Sequence, residues 1–368
     1  MSEKVKKHEP PFHIAKRDSL PAYKSWGIRL AAIIIALIAA GIVTMLLTGE
    51  NPISVYGTMI DGAFGSSRRV WKLLQNLAML LCVSLAVTPA FKMRFWNIGA
   101  EGQVLIGGLA TAGCMIMLGG KLPNAVLIIV MIAASMLAGA VWALIPAFFK
   151  AKFNTNETLF TLMMNYVGIQ LVSYFEMYWE NPKGSSNIGI INQATHDGWL
   201  PVIGNYDYLL NVIVVLALTV FMYIYLKYSK HGYELTVVGE SENTARYIGV
   251  NVKKVILRTM ALSGAICGIA GLLLVSGTNH TLSTTTAGGR GFTAIMVSWL
   301  AKFNPVVMVL TSLLLAFLNC GAGEISTVYG FNESFSDIIT GIILFFIIGS
   351  EFFINYQIKF HRSGKEVK

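Results

Sequence analysis

The sequence predicts an all-α, polytopic transmembrane helical bundle of about ten spans, one of them short or broken, with the N and C termini in the cytoplasm. Three observations predict it. Hydrophobic residues make up 55% of the 368 positions and charged residues only 13%, a mixture that cannot clothe a soluble surface. Apolar runs of about 18 to 25 residues recur along nearly the whole chain, each long enough to cross ~30 Å of hydrocarbon. The Lys and Arg residues sit in the breaks between those runs, as the positive-inside rule requires. The net charge of +9 is therefore a matter of topology. No basic face interleaved with aromatics is visible, which excludes nucleic acid as a partner and leaves membrane lipid.

The first run covers residues 28–48 and follows a basic N-terminal segment, 1–27, expected in the cytoplasm. It is too long for a signal-peptide core and lacks a small-residue cleavage site, so it reads as a retained helix. Residues 49–72 carry Pro52, Gly57, Gly62 and Gly65; they are too interrupted to cross, and a short interfacial helix fits there. Spans two to four cover 73–91, 100–118 and 124–149, the last closed by Lys150 and Lys152. A fifth, 158–179, is rich in Met and aromatics. Met163, Met164 and Phe175 there read as lipid-facing or packing residues. The longest loop, 180–206, contains Pro182, Gly184, Gly189, Gly198 and Trp199.

The sixth span covers 207–228 and a polar stretch follows to residue 254. The seventh, 255–276, carries Gly264 and Gly268, a spacing that admits a close neighbouring helix. Beyond a Ser/Thr/Gly-rich loop, the apolar run 291–301 is only half a bilayer long, and Lys302, Asn304 and Pro305 divide it from the next, 306–321. Irregular backbone at membrane depth is tolerated only where protein or a wet cavity surrounds it, so this broken segment is expected inside the bundle. A last span, 335–356, leads to a basic tail, 357–368. The transmembrane domain is thus 28–356.

With the N terminus inside and the short segment counted as the eighth crossing, only Arg68, Arg69, Lys72, Lys121, Lys183 and Arg290 of the 28 Lys and Arg fall outside. The loops 49–72, 180–206, 277–290 and 322–334 then face out and 227–258 faces in.

No phosphate-cradling G-x-x-x-x-G-K-[ST] loop occurs, so energy must come from elsewhere and no bound cofactor is expected. His8, His13, His196, His231, His280 and His361 show no H-x-x-x-H spacing, so no metal is expected. Cys82, Cys114, Cys267 and Cys320 lie in apolar runs and offer no disulfide. Paired catalytic carboxylates and a nucleophile elbow are missing, which argues against a lipid enzyme. Glu176, Asp337 and Arg258 fall near span ends, where snorkelling is cheap. Glu101 differs. The run Phe95-Trp96-Asn97-Ile98-Gly99-Ala100-Glu101-Gly102-Gln103 supports a close backbone approach beside a polar site, and equally a helix start capped by Asn97 with Glu101 in its first turn.

That run resembles the FNIGAEGQ signature of membrane permeases in the nucleoside and simple-sugar branch of the ABC importers. The segment Asn156-Glu157-Thr158-Leu159-Phe160-Thr161-Leu162-Met163-Met164-Asn165-Tyr166 is similar to that branch's NE-x-x-x-TLM-x-NY, and Gly291-Phe292-Thr293-Ala294-Ile295-Met296-Val297 to its GFTGIAV. Residues 238–250, from Val238-Gly239-Glu240 to Ile248-Gly249-Val250, resemble the VGENPEAARYAGI cytoplasmic coupling segment. The resemblance covers about 73–350. It departs at Glu242, Asn243 and Thr244, which replace Pro, Glu and Ala, and at Arg290, where Tyr is common.

The resemblance implies a permease without catalytic residues, working with a separate ATP-binding subunit that holds ATP and Mg. It also implies a second permease in a heterodimer and an extracellular solute-binding protein or lipoprotein. Contacts with the ATPase would fall on Glu240, Ser241, Glu242, Asn243, Ala245, Arg246, Tyr247 and Gly249. Ser241 or Asn243 could cap a short helix there, with Ala245, Ile248 and Gly249 on its small or apolar side. The expected substrate is a nucleoside, with a simple sugar as the alternative. An uncharged flat solute needs amides, hydroxyls and aromatics, so Asn76, Asn97, Glu101, Gln103, Asn165 and Tyr166 are the candidate pathway residues. The rival is an ion-coupled secondary transporter, for which only Glu101 could serve as coupling residue.

Overall fold

The structure is a computed structural model that describes residues 12–17, 21–204 and 206–360. Expectations for 1–11, 18–20, 205 and 361–368, including most of both basic ends, lie outside the described residues. In chain order the helices are α1 (Ala22–Thr48), α2 (Pro52–Phe64), α3 (Ser67–Lys92), α4 (Ala100–Leu118), α5 (Asn124–Phe153), α6 (Glu157–Tyr178) and α7 (Leu209–Tyr228). They continue as α8 (Lys230–Glu240), α9 (Glu242–Tyr247), α10 (Val252–Leu274), α11 (Arg290–Leu300), α12 (Pro305–Tyr329) and α13 (Glu333–Asn355). Among the described residues eight helices are long and apolar enough to cross a membrane: α1, α3, α4, α5, α7, α10, α12 and α13. The more polar α6, 22 residues long, and the half-length α11, 11 residues, coincide with the other two expected spans.

Local chemistry sets the boundaries. Asn51, Ser66, Asn156 and Asn251 accept backbone N–H groups at the starts of α2, α3, α6 and α10, and Pro52 supplies the fixed φ of a first helical turn. Gly49 and Asn154 end α1 and α5 in the left-handed conformation.

The chain divides into two compact units, Ser66–Phe317 and the combination of Met1–Gly65 with Leu318–Lys368. In the second of these α1 packs on α13, joined by an Arg29–Glu351 ion pair of 2.5 Å. A Cβ on Gly62 would collide with the Glu324 stem, and one on Gly321 with Met59, so α2 lies hard against the end of α12. Strands β1 (Phe12–Lys16) and β2 (Tyr356–Phe360) pair antiparallel, from Phe12 opposite Phe360 to Lys16 opposite Tyr356.

Two expectations change here. The span expected to stop at 321 continues as α12 to Tyr329, because Glu324 lies against α2 by its aliphatic stem; the expected loop 322–334 shrinks to residues 330–332. The basic ends, for which the sequence names no element, contribute the strand pair.

Within Ser66–Phe317 the centre is α10, packed on α3, α4 and α5. Gly264 and Gly268 face α5, where added Cβ atoms would strike the carbonyls of Gly139 and Ser135, and Gly271 meets Val104 and Gly108 of α4 in the same way. Backbones this close need no side chain between them, which is the use the Gly264/Gly268 spacing predicts.

Candidate functional site

Below Lys92 the chain reverses through Arg94, at φ 61°, and residues 93–99 return into the bundle without forming a helix. Met93, Phe95 and Asn97 on this return are buried. The Asn97 amide donates to Ser263 Oγ at 3.2 Å and its oxygen accepts from Gly99 N and Gln103 Nε2, both at 3.1 Å. Ser263 lies eleven residues beyond the start of α10, about 16 Å along its axis at 1.5 Å per residue. The first turn of α4 therefore begins beside the middle of α10. Asn165 of α6 completes the joint by accepting from Gly102 N at 2.9 Å and donating to the Ile98 carbonyl at 2.8 Å.

The second broken element meets the first at this depth. After α10 the helix widens into one π-helical turn, Val275–Asn279, and the chain runs through Gly288 and Gly289, both with positive φ, into α11. Glu101 reaches across: its two carboxylate oxygens accept from Gly289 N and Gly291 N, each at 2.7 Å. A Cβ on Gly291 would stand 2.8 Å from Glu101 Cα, so only glycine lets the two helix starts touch. Glu101 is the one Asp, Glu, Lys or Arg side chain that is buried among the described residues. Its charge sits at the positive ends of two helix dipoles and is hydrogen-bonded by one of them, which is how a carboxylate is held at this depth. Beside it, Arg290 donates to Asn76 Oδ1 at 3.1 Å and to the Ala287 carbonyl at 3.2 Å. Farther along α11, Ser298 Oγ donates to the Ser84 carbonyl at 3.1 Å, tying the half-helix to α3.

Of the candidate pathway residues, Asn97, Gln103 and Asn165 spend their amides inside this joint, Glu101 caps α11, Asn76 holds Arg290, and Tyr166 stands 59% exposed on α6. Sequence reading missed a second polar cluster. Asn211 of α7 donates to Gln75 Oε1 at 3.3 Å and to the Gly277 carbonyl at 3.2 Å, and Gln75 donates to Thr278. The signal was Gln75 beside Asn76 in one apolar run and Asn211 in another. Missed too was the stacked pair Trp96 and Trp299, each half-exposed.

The expected coupling segment forms the elbow α8–α9. Ser241, not Asn243, caps α9 by accepting from Thr244 N at 3.3 Å, and Glu242 pairs with Arg246 at 3.4 Å. Ala245 is buried, whereas Tyr247 is 94% exposed, with Ile248 and Gly249 exposed beside it. The small side foreseen as one face is thus split between core and surface. A Cβ on Gly239 would strike the Lys92 carbonyl, so α8 is seated directly on the end of α3. Arg258 of α10 grips Glu234 of α8 at 2.6 Å.

The loop 180–206 is anchored to the π-helical turn and the residue after it: Leu200 N donates to the Ser276 carbonyl at 3.2 Å and Ile191 N to the His280 carbonyl at 2.8 Å. Trp199 is stacked between His196, at 4.3 Å, and His280, at 3.6 Å between ring centroids. Burial, and then the neighbouring His196, hold His280 below the ordinary histidine pKa.

The family described as branched-chain amino acid transport system / permease component matches residues 69–348. The chain is similar to a glucose ABC transporter permease protein of Haloferax volcanii, 29% identical and covering 95% of this chain and 94% of that one. A guanosine ABC transporter permease protein of Bacillus subtilis is 31% identical over 90% of this chain and 94% of its own. A nucleoside ABC transporter permease protein of Lactococcus lactis is 26% identical over 83% and 86%. With its membrane-length helices, its two helix starts joined through Glu101 and these relatives, the chain belongs to this family: it is a multi-pass cell-membrane permease of the ABC transporters, in the nucleoside and simple-sugar branch.

Proposed function

We propose that this permease translocates a nucleoside into the cell, driven by ATP that a separate subunit binds with Mg and hydrolyses. It works beside a second, homologous permease and receives solute from an extracellular binding protein or lipoprotein; the chain itself carries no cofactor. Its N and C termini and the α8–α9 elbow face the cytoplasm. The observation that carries the energy source is the commitment of Glu101. An ion-coupled carrier needs a carboxylate at depth that can lose and regain its partner, and here both oxygens are taken up by the start of α11.

The contacts described above supply a route for work. A push on Glu240, Ser241, Glu242, Asn243, Ala245, Arg246, Tyr247 and Gly249 would pass from α8 through the Gly239–Lys92 contact into α3. From there it reaches α11 through Ser298, and the Glu101 cap makes α4 follow. Rigid helices then convert a displacement of the elbow into alternating access.

Nucleoside is preferred as substrate on the names of the Bacillus and Lactococcus relatives and on the uncharged amides around the joint. The glucose relative, which aligns over more of the chain, supports a simple sugar as the second reading. Proteoliposomes holding both permeases, the ATPase and the binding protein distinguish them. ATP-dependent uptake of labelled guanosine that unlabelled glucose leaves unchanged is expected; uptake of glucose alone would replace the nucleoside assignment.

A further inference from the structure

We propose that the cavity between α1 and α2 is a lipid site that seats one acyl chain of a membrane phospholipid. The cavity has a volume of about 320 Å³; it runs along α1 from Leu37 to Met45 and is closed on one side by Pro52 and Tyr56 of α2. Gly41 makes the room. A Cβ there would stand 3.2 Å from both the Pro52 Cβ and the Tyr56 hydroxyl, so a larger residue would fill the space that α2 crosses. The one polar side chain in the lining is Tyr56, and its hydroxyl donates to the Leu37 carbonyl. A buried water needs about two to four polar partners, and this lining offers too few to hold one. Whatever fills the cavity is therefore apolar.

The surface of α1 decides between a lipid chain and a protein partner. It is a membrane-length helix, and only 22% of its apolar stretch is buried by the rest of the chain. Its small residues Ala36, Ala40 and Thr44 are buried, whereas Ile38, Ile42 and Met45 along the cavity are each 55% or more exposed. The opening is thus continuous with the face that hydrocarbon covers. From Leu37 to Met45 is about 12 Å along the helix axis, against roughly 15 Å for the hydrocarbon of one leaflet. Over that length the cavity averages about 6 Å across, room for one extended chain and too narrow for a helix about 10 Å wide. A helix of the second permease cannot enter it; an acyl chain lying parallel to α1 can. The polar end of the lipid has a place too, because α1 stops at Thr48, three residues beyond Met45, and Glu50 and Asn51 follow. In the orientation proposed above, that end lies in the outer leaflet.

The test uses the complete complex and a phosphatidylethanolamine that carries a photoactivatable diazirine on one acyl chain. The complex is loaded with this lipid, washed into lipid-poor detergent to strip exchanging molecules, irradiated and mapped by peptide mass spectrometry. Adducts are expected to persist on residues 37–45 and 52–56. Ile42→Trp puts a larger ring into the cavity and should lose them, and Met45→Trp does the same from the other end should the first variant fail to assemble with the ATPase subunit. Leu46→Trp, at a residue 79% exposed and outside the lining, should keep them. Adducts spread evenly over the exposed residues of α1 overturn the proposal, as does labelling that both cavity variants leave unchanged. Absence of adducts together with a disulfide cross-link from Ile38→Cys to the second permease would show that protein covers this face. No solute enters this test, so its failure leaves the proposed function untouched.

Discussion

Glu101 is the residue on which the interior is organised. Replacing it with Ala would leave the N–H groups of Gly289 and Gly291 buried without acceptors and remove a charge that two helix dipoles favour. The expected cost is about 2 to 5 kcal/mol, read as a lowered melting temperature of the detergent-solubilised protein. Glu101→Gln keeps one acceptor oxygen and should fall between parent and Ala; equal stability of all three would remove the cap from the account. His280 gives a pH effect whose sign follows from its environment. The fold holds its pKa below the unfolded value of about 6.5, so the folded state favours the neutral ring. Stability should fall as pH drops through about 6.5 toward the folded pKa and recover above it; His280→Gln should flatten that dependence. Part of the site was legible in the residues. Glu101 was readable as a first-turn acid because its place on α4 is a local property; the cap expected of Asn97 is not formed, since Gly99 starts α4 without a side-chain cap and the Asn97 oxygen accepts from Gly99 N and Gln103 Nε2 instead. The true partners of Glu101, Gly289 and Gly291, lie nearly two hundred positions away, a distance that no local pattern spans.

At the scale of elements, α10 shows how close packing replaces hydrophobic drive within the bundle. Gly268 lies against Ser135 of α5, and a Cβ on Gly107 of α4 would stand only 2.5 Å from Gly268 Cα. A Gly268→Leu change would have to part three helices, so we expect failure to accumulate as a folded protein, whereas Gly341→Leu, in open surroundings on α13, should be tolerated. Comparable yield and monodispersity of both variants would contradict this packing. The apolar spans and the half-helix were legible because length and interruption are local properties. The extension of α12 past Glu324 was not, since a charge marks a span end only until a neighbouring glycine makes room for its stem. Nor was the β1–β2 pairing legible, which joins residues from opposite ends of the chain.

At the scale of the molecule the design separates energy from passage. The α8–α9 elbow, with Tyr247 almost fully exposed, is seated on α3; α3 is tied to α11, and α11 to α4 through one carboxylate. With both oxygens of Glu101 taken up by Gly289 N and Gly291 N, the proposed reading has the work arrive from a separate ATPase subunit. The most direct measurement is solute accumulation in proteoliposomes prepared with and without the ATPase subunit, under imposed proton or sodium gradients and with ATP supplied or withheld. Accumulation only with both the subunit and ATP, indifferent to either gradient, is the predicted result. Uptake by the permease alone that follows an ion gradient and disappears in Glu101→Gln would contradict the account.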